Sequence, residues 1–382
     1  MKRNPNAPAA SRAELDRRIR LLRCLGASLL AATMLTACSA FDAMDYYWQG
    51  ATGEWQLLSR AKPIDDVVAG TDDAALKKRL ERIAEIRRFA STDLGLPANG
   101  SYTRYTDLGR PFVTWTVFAT PQLSLTPQQW CFPVAGCVSY RGYFHKEAAY
   151  EEARRLKAEG DDVYVGGVPA YSTLGYFNDP VLSSFVNWPE SAVARLIFHE
   201  LAHQLIYVPG DTVFNESYAV TVERAGLERW LAHEHDPKLD AQAARDERTQ
   251  TEFVQLVSKV RQRLAAIYSG SAPKAEKRTA KADALAALAR AYAIDKGRDP
   301  GLARYEGWFS NQPNNASIAA LALYTDRVPA FQAILHEEGD HLRRFYQRVR
   351  ELAALPKSDR ERILDRYARA APTPPATHDA RL

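Results

Sequence analysis

The chain has 382 residues, 46% hydrophobic and 10% aromatic. That is enough apolar material to bury a full core as one large domain or two smaller ones, and it excludes a broadly disordered chain. The formal charge of +4 sits in the N-terminus, where seven Lys or Arg stand against Glu14 and Asp16 within residues 1–37; the rest is close to neutral, without the basic tract that nucleic-acid binding would need.

Residues 1–37 read as an export signal, because a basic stretch precedes an apolar run, Cys24 to Leu35, too short to span a bilayer as a stable helix. The run ends in "LTAC", Leu35 to Cys38, which resembles the lipobox of bacterial lipoproteins. The resemblance implies cleavage before Cys38 and lipid on its thiol, and several acyl chains on one residue hold a protein durably on a membrane. Ser39 stands where an aspartate would retain the protein at the inner membrane, so the expected address is the outer membrane, facing the periplasm. A secreted protein with a chance cysteine is the alternative. With Cys24 removed and Cys38 lipidated, only Cys131 and Cys137 remain, in "WCFPVAGCVSY". An even pair across a Pro and a Gly in an oxidising compartment predicts one local disulfide.

Downstream, "ALKKRLERIAEIRRF", residues 75–89, is an amphipathic helix, and "RPFVTWTVFA", residues 110–119, alternates as a strand. A helix is predicted over 146–158. "DDVYVGG" then predicts a strand over about 162–165, broken by Gly166 and Gly167. The irregular "VPAYSTLGYFNDPVL" leads into a helix over about 190–207. Pro209 and Gly210 form a turn, Asp211 or Thr212 caps a second helix, and that helix runs to about Leu231. Residues 236–300 read as a solvated helical arm, the asparagines of 311–315 as helix caps, and 335–367 as helical again. The fold class is α+β, mostly helical. The expected divisions are the signal (1–37), an N-terminal region with the catalytic core (38–235), a helical region completing the cleft (236–370) and a disordered tail (371–382).

The stretch "IFHELAHQL", Ile197 to Leu205, sets His199, Glu200 and His203 within an arc of about 100° on a helix otherwise apolar on nearly every side. Such a helix is central, and unpaired polar groups there cost several kcal/mol each. Histidines at i and i+4 can place two imidazole nitrogens on one Zn²⁺, with the adjacent Glu200 as general base. Pro209 excludes a third histidine at the metzincin spacing. If the two helices run antiparallel about the turn at 209–210, Glu216 lies level with His203, whereas Asp211 falls about 7 Å short. Ala219 permits close helix approach, and Glu223, two turns beyond Glu216, can orient a ligand histidine.

"FHELAHQ" followed by "NESYA" resembles the gluzincin form of zinc peptidase. More closely, "NGSYTRYTDLGRPFVTWTVFA", "WCFPVAGCVSYRGYF", "DVYVGGVPAYSTLGYFNDP" and "FHELAHQLIYVPGDTVFNESYAVTVERAGL" are similar to the proteobacterial lipoprotein family called putative aminopeptidases, over about Tyr47 to Leu355. The resemblance implies a zincin-like core with a small sheet, an active-site helix and a glutamate helix. It also implies His199, His203 and Glu216 as zinc ligands, Glu200 as catalytic base, and peptide-bond hydrolysis, with aminopeptidase action as the expected form. Tyr218 and Tyr324, with Tyr171 and Tyr176, are candidate oxyanion donors, each also readable as a core or rim tyrosine. "DVYVGGV" resembles the edge strand against which zincin substrates pair, and Glu306 or Asp179 could receive a substrate ammonium. The partners implied are a peptide substrate and, through Cys38, a membrane; oligomeric state is not legible. Two alternatives stand: a zinc-stabilised, non-catalytic binding lipoprotein, against which an intact Glu200 speaks, and an amidase on peptidoglycan stem peptides.

Overall fold

The computed structural model describes residues 46–132 and 136–370. The expected signal, the lipid on Cys38 and the disordered tail lie outside the described residues. Residues 46–55 are helical and fall in a separate compact unit; the architecture below begins at Gln56.

Helix α1 (Ala74–Thr92) starts at Asp73, whose carboxylate accepts hydrogen bonds from the backbone N–H of Ala75 and Leu76, and it turns Leu80, Ile83, Ile86 and Phe89 inward. Strand β1 (Thr114–Pro121) follows and is buried along nearly its whole length. Its Phe118 packs beneath Ala316, Ala320 and Leu323, while Val117 and Ala119, which point to the other face by strand alternation, are equally buried. Next comes a hairpin, β2 (Trp130–Phe132) and β3 (Gly136–Val138), with Cys131 opposite Cys137 and the expected disulfide between them. Strand β4 (Arg141–Tyr143), helix α2 (Lys146–Ala158) and strand β5 (Asp161–Val168) complete an antiparallel sheet with β1 in the middle.

One expectation fails here. Gly166 and Gly167 do not break β5; they lie within it, paired with Thr116 and Trp115 of β1. A side chain at Gly167 would put its Cβ 2.3 Å from the Phe112 ring, so the glycine keeps the strand while making room for that ring.

Helices α3 (Glu190–Leu205) and α4 (Thr212–Glu234) form the centre of the molecule. They run antiparallel: Trp230 near the end of α4 donates to Glu190 at the start of α3, at 2.9 Å. Phe198, Leu201 and Ala202 of α3 and Ala219 and Val222 of α4 are essentially fully buried. Close approach depends on small residues, since a Cβ at Gly226 would lie 2.7 Å from the Phe198 ring.

Beyond this pair, α5 (Pro237–Ser269) and α6 (Lys274–Arg298) are more than a solvated arm. Phe253, Val257 and Leu264 meet Leu288, Tyr292 and Ile318 in an apolar seam. One apolar residue every three or four positions suffices for such a seam, so the charged composition conceals it. Helix α7 (Asn315–Leu323) opens with a reciprocal cap between Asn314 and Ser317, as the cap reading expects. Helices α8 (Val328–Glu337), α9 (Leu342–Ala353) and α10 (Lys357–Ala370) end the described chain. The architecture is α+β and mostly helical. Among the described residues no helix is long and apolar enough to cross a membrane.

Candidate metal centre

The turn between α3 and α4 is held from several sides. Asn215 closes it from within, accepting from the Val208 N–H and donating to the Val208 carbonyl, both at 2.8 Å. Asp211 accepts from the Phe214 N–H at 3.3 Å, as a cap does, and pairs with the buried Arg360 of α10 at 2.7 Å. Gly136 of the disulfide hairpin presses on the turn from outside; a Cβ there would lie 2.5 Å from the Gly210 nitrogen.

The turn sets three side chains against one point. His199 Nε2 lies 3.1 Å from His203 Nε2, and Glu216 Oε2 lies 3.3 Å from the first and 3.6 Å from the second. The relative exposures of His199, His203 and Glu216 are 9%, 7% and 7%, and their ligand atoms all fall within 4.8 Å of one another. His199 Nδ1 bonds Glu223 Oε2 at 2.9 Å. The other oxygen of Glu223 lies 3.7 Å from Arg195, which also donates to Gln250 at 3.0 Å and pairs with Glu247.

Burial alone would push the His199 imidazole toward its neutral form. The hydrogen bonds and charges of Glu216 and Glu223 outweigh it and hold the group well above the ordinary histidine value. Burial likewise opposes the charge on Glu216, but the adjacent His203 and His199 hold its carboxyl at about 2. Glu216 thus stays an ionised carboxylate in spite of its burial, the form in which it can ligate a cation. Among the described residues His203 Nδ1 is buried without a hydrogen-bond partner, and Glu216 Oε2 is buried against the two histidines. Two imidazoles and a carboxylate suit zinc or a similar divalent ion. The residues present fit a metal.

Glu200 is partly exposed beside this cluster. Tyr324, just past α7, brings its ring to 6.4 Å from that of His199, and Tyr207 comes to 6.3 Å from His203. Tyr140 joins them: burial and the charges of Glu216 and Glu200 raise its hydroxyl well above the ordinary tyrosine range. Tyr207 follows His203 at the i+4 spacing, a signal that finds it from sequence. Tyr140 sits on the segment after the disulfide hairpin and has no such signal.

Other candidates are not brought in. Tyr218 is a correction: two residues past Glu216 it points about 200° around the helix, into the core against Phe331 and Phe345. Tyr176 is 71% exposed, on a loop, and Glu306 pairs with Lys296 on α6. Asp179 lies near Glu200 but is only 1% exposed, and it already accepts from Thr173 Oγ1 at 2.7 Å and Gln204 Nε2 at 3.1 Å.

One family model, described as "Putative aminopeptidase", matches residues 45–364. No curated protein and no solved structure matches the chain.

Proposed function

The chain belongs to the putative aminopeptidase family, and we propose that it is a zinc-dependent metallopeptidase on a zincin-like core, held in the cell envelope by lipid on Cys38. The observation that carries this reading is the buried His199, His203 and Glu216 cluster with the more exposed Glu200 beside it. A purely structural site would need the ligands and no base.

Zinc, when bound by His199, His203 and Glu216, supplies Lewis acidity toward the scissile carbonyl and lowers the pKa of water toward about 7. The chain's own groups do the rest. Glu223 accepts the His199 Nδ1–H and so leaves Nε2 as the donor atom, a tautomer that Arg195 secures by holding Glu223. Glu200 takes a proton from the attacking water and delivers it to the leaving amine. Tyr324 and Tyr140 are oxyanion donors. The Glu216 charge raises the Tyr324 hydroxyl, and burial with that same charge raises Tyr140; both stay protonated donors at neutral pH. Strand β5 is an edge of its sheet; Asn314 caps its Val163 carbonyl at 3.0 Å, which leaves the stretch from Val165 onward to pair with an extended peptide. Neither acid considered for a substrate ammonium is free, so removal of N-terminal residues rests on the family description alone.

The test is a peptide-library digest by the soluble form from Ser39 onward, beside Glu200→Gln. The expected result is cleavage by the parent, with turnover lower by several orders of magnitude in the variant and zinc retained. Equal activity in both would remove Glu200 from the mechanism and favour a non-catalytic binding lipoprotein.

A further inference from the structure

A polar junction forms around Gln204, one turn of α3 beyond Glu200. Glu200 and Gln204 are four residues apart on α3 and share a face. Gln204 is fully engaged: it accepts from Asn99 Nδ2 at 2.7 Å and donates to Ser101 Oγ at 3.2 Å and Asp179 Oδ2 at 3.1 Å. Arg87 of α1 secures the same segment by donating to the carbonyls of Ser101, Pro97 and Asn99 at 2.7, 2.7 and 2.9 Å. The chain from Asn99 to Ser101 is thereby fastened to the face of α3 that carries Glu200.

Tyr102 is the next residue, and two of its features work against stability. Its backbone has φ 61°, the left-handed region that a bulky aromatic residue rarely occupies; its N–H is held by the Asp179 carbonyl at 2.6 Å. Its side chain is 1% exposed, yet its hydroxyl has no hydrogen-bond partner among the described residues. A phenylalanine would fill the same space without an orphaned polar group. Burial and the charges of Glu200 and Asp179 raise the phenol well above its ordinary value. At every working pH it is therefore an O–H donor, with Glu200 and Asp179 as its negatively charged neighbours and neither within hydrogen-bond distance.

We propose that Tyr102 is a positioning residue whose buried hydroxyl aligns the Glu200 carboxylate in the working enzyme; this rests on the reading of Glu200 as the base. Tyr218 supplies the contrast. Its hydroxyl is also buried without a partner among the described residues, but it lies in the core with Arg350 as its charged neighbour and with an unstrained helical backbone.

The experiment uses the zinc-loaded soluble form with Tyr102→Phe, Tyr218→Phe, Glu200→Gln and the two double variants, measuring melting temperature, bound zinc, kcat and KM. Tyr102→Phe should melt no lower than the parent, keep its zinc and keep KM within about twofold, while kcat falls about ten- to a hundredfold. Its effect on melting should be non-additive with Glu200→Gln, whereas Tyr218→Phe should be additive and leave kcat unchanged. Full kcat with additive melting in Tyr102→Phe overturns the proposal, and so does loss of its cooperative melt, which would make the hydroxyl a structural group. If parent and Glu200→Gln are equally inactive, the peptidase reading fails instead, and the melting cycle still decides whether Tyr102 couples to Glu200.

Discussion

Asp179 and Glu216 are both buried carboxylates near the cluster, and their surroundings push them in opposite directions. Glu216 is held at about 2 against its burial by two imidazoles. Asp179 has only neutral donors, so burial wins and pushes it up to about 6. A carboxyl raised on folding binds its proton more tightly in the folded state. Its contribution is therefore intact below about pH 4 and is lost as pH rises through about 6. The shift bounds the loss at about 3 kcal/mol. Asp179→Asn should thus stabilise the protein by roughly 1–2 kcal/mol at pH 7.5, less than the bound because an amide keeps only part of the hydrogen bonding. The gain should vanish near pH 4. Urea midpoints at the two pH values check this, and a gain equal at both would contradict it. At this scale His199, Glu200, His203, Glu216 and Glu223 were legible because helical spacing alone sets their faces. Tyr140 and Tyr102 were not, because loops carry no periodicity. Tyr218 takes the core alternative, since it stands about 200° around the helix from Glu216 and packs on Phe331 and Phe345.

Among the elements, the disulfide hairpin and the α3–α4 turn meet glycine to glycine. Gly136 has φ 72°, and a Cβ there would strike the Gly210 nitrogen at 2.5 Å. Gly160 makes the natural control, with φ 96° and nothing within 4 Å of an added Cβ. Gly160→Ala should cost about 1–2 kcal/mol, from backbone strain alone. Gly136→Ala should cost at least about 1 kcal/mol more, because the contact is with backbone that cannot turn aside. Urea denaturation of both variants decides it, and equal losses would mean that the hairpin does not brace the turn. Helix α2 was legible to the residue from its amphipathic period. Strand β5 was not, because glycines that end an isolated strand persist in one whose partner supplies the ladder. The α5–α6 seam was likewise hidden, its few apolar residues outnumbered by solvated charge.

For the whole molecule, the α+β, mostly helical class was legible from segment patterns. The assembly of the site was not, since Tyr140, the α3–α4 pair and Tyr324 come from distant parts of the chain. Burial of α3 on every side but the one that carries Leu196 and Glu200 is what forces them together, and only the unusual apolarity around "FHELAH" hinted at it. Cys38→Ser should leave unprocessed precursor or release the protein from membranes, and unchanged fractionation with unchanged mass would contradict it. A zinc site completed by Glu216 is tested by bound zinc per chain, measured in the soluble parent, Glu216→Ala and Asp211→Ala at matched free zinc. Asp211 caps α4 and pairs with Arg360, so its loss should cost about 3–5 kcal/mol of stability by stranding a buried guanidinium and leave zinc in place. Glu216→Ala should keep the fold and lose zinc affinity by orders of magnitude, since two histidines alone hold zinc weakly. Zinc retained in Glu216→Ala and lost in Asp211→Ala would exclude Glu216 as the third ligand.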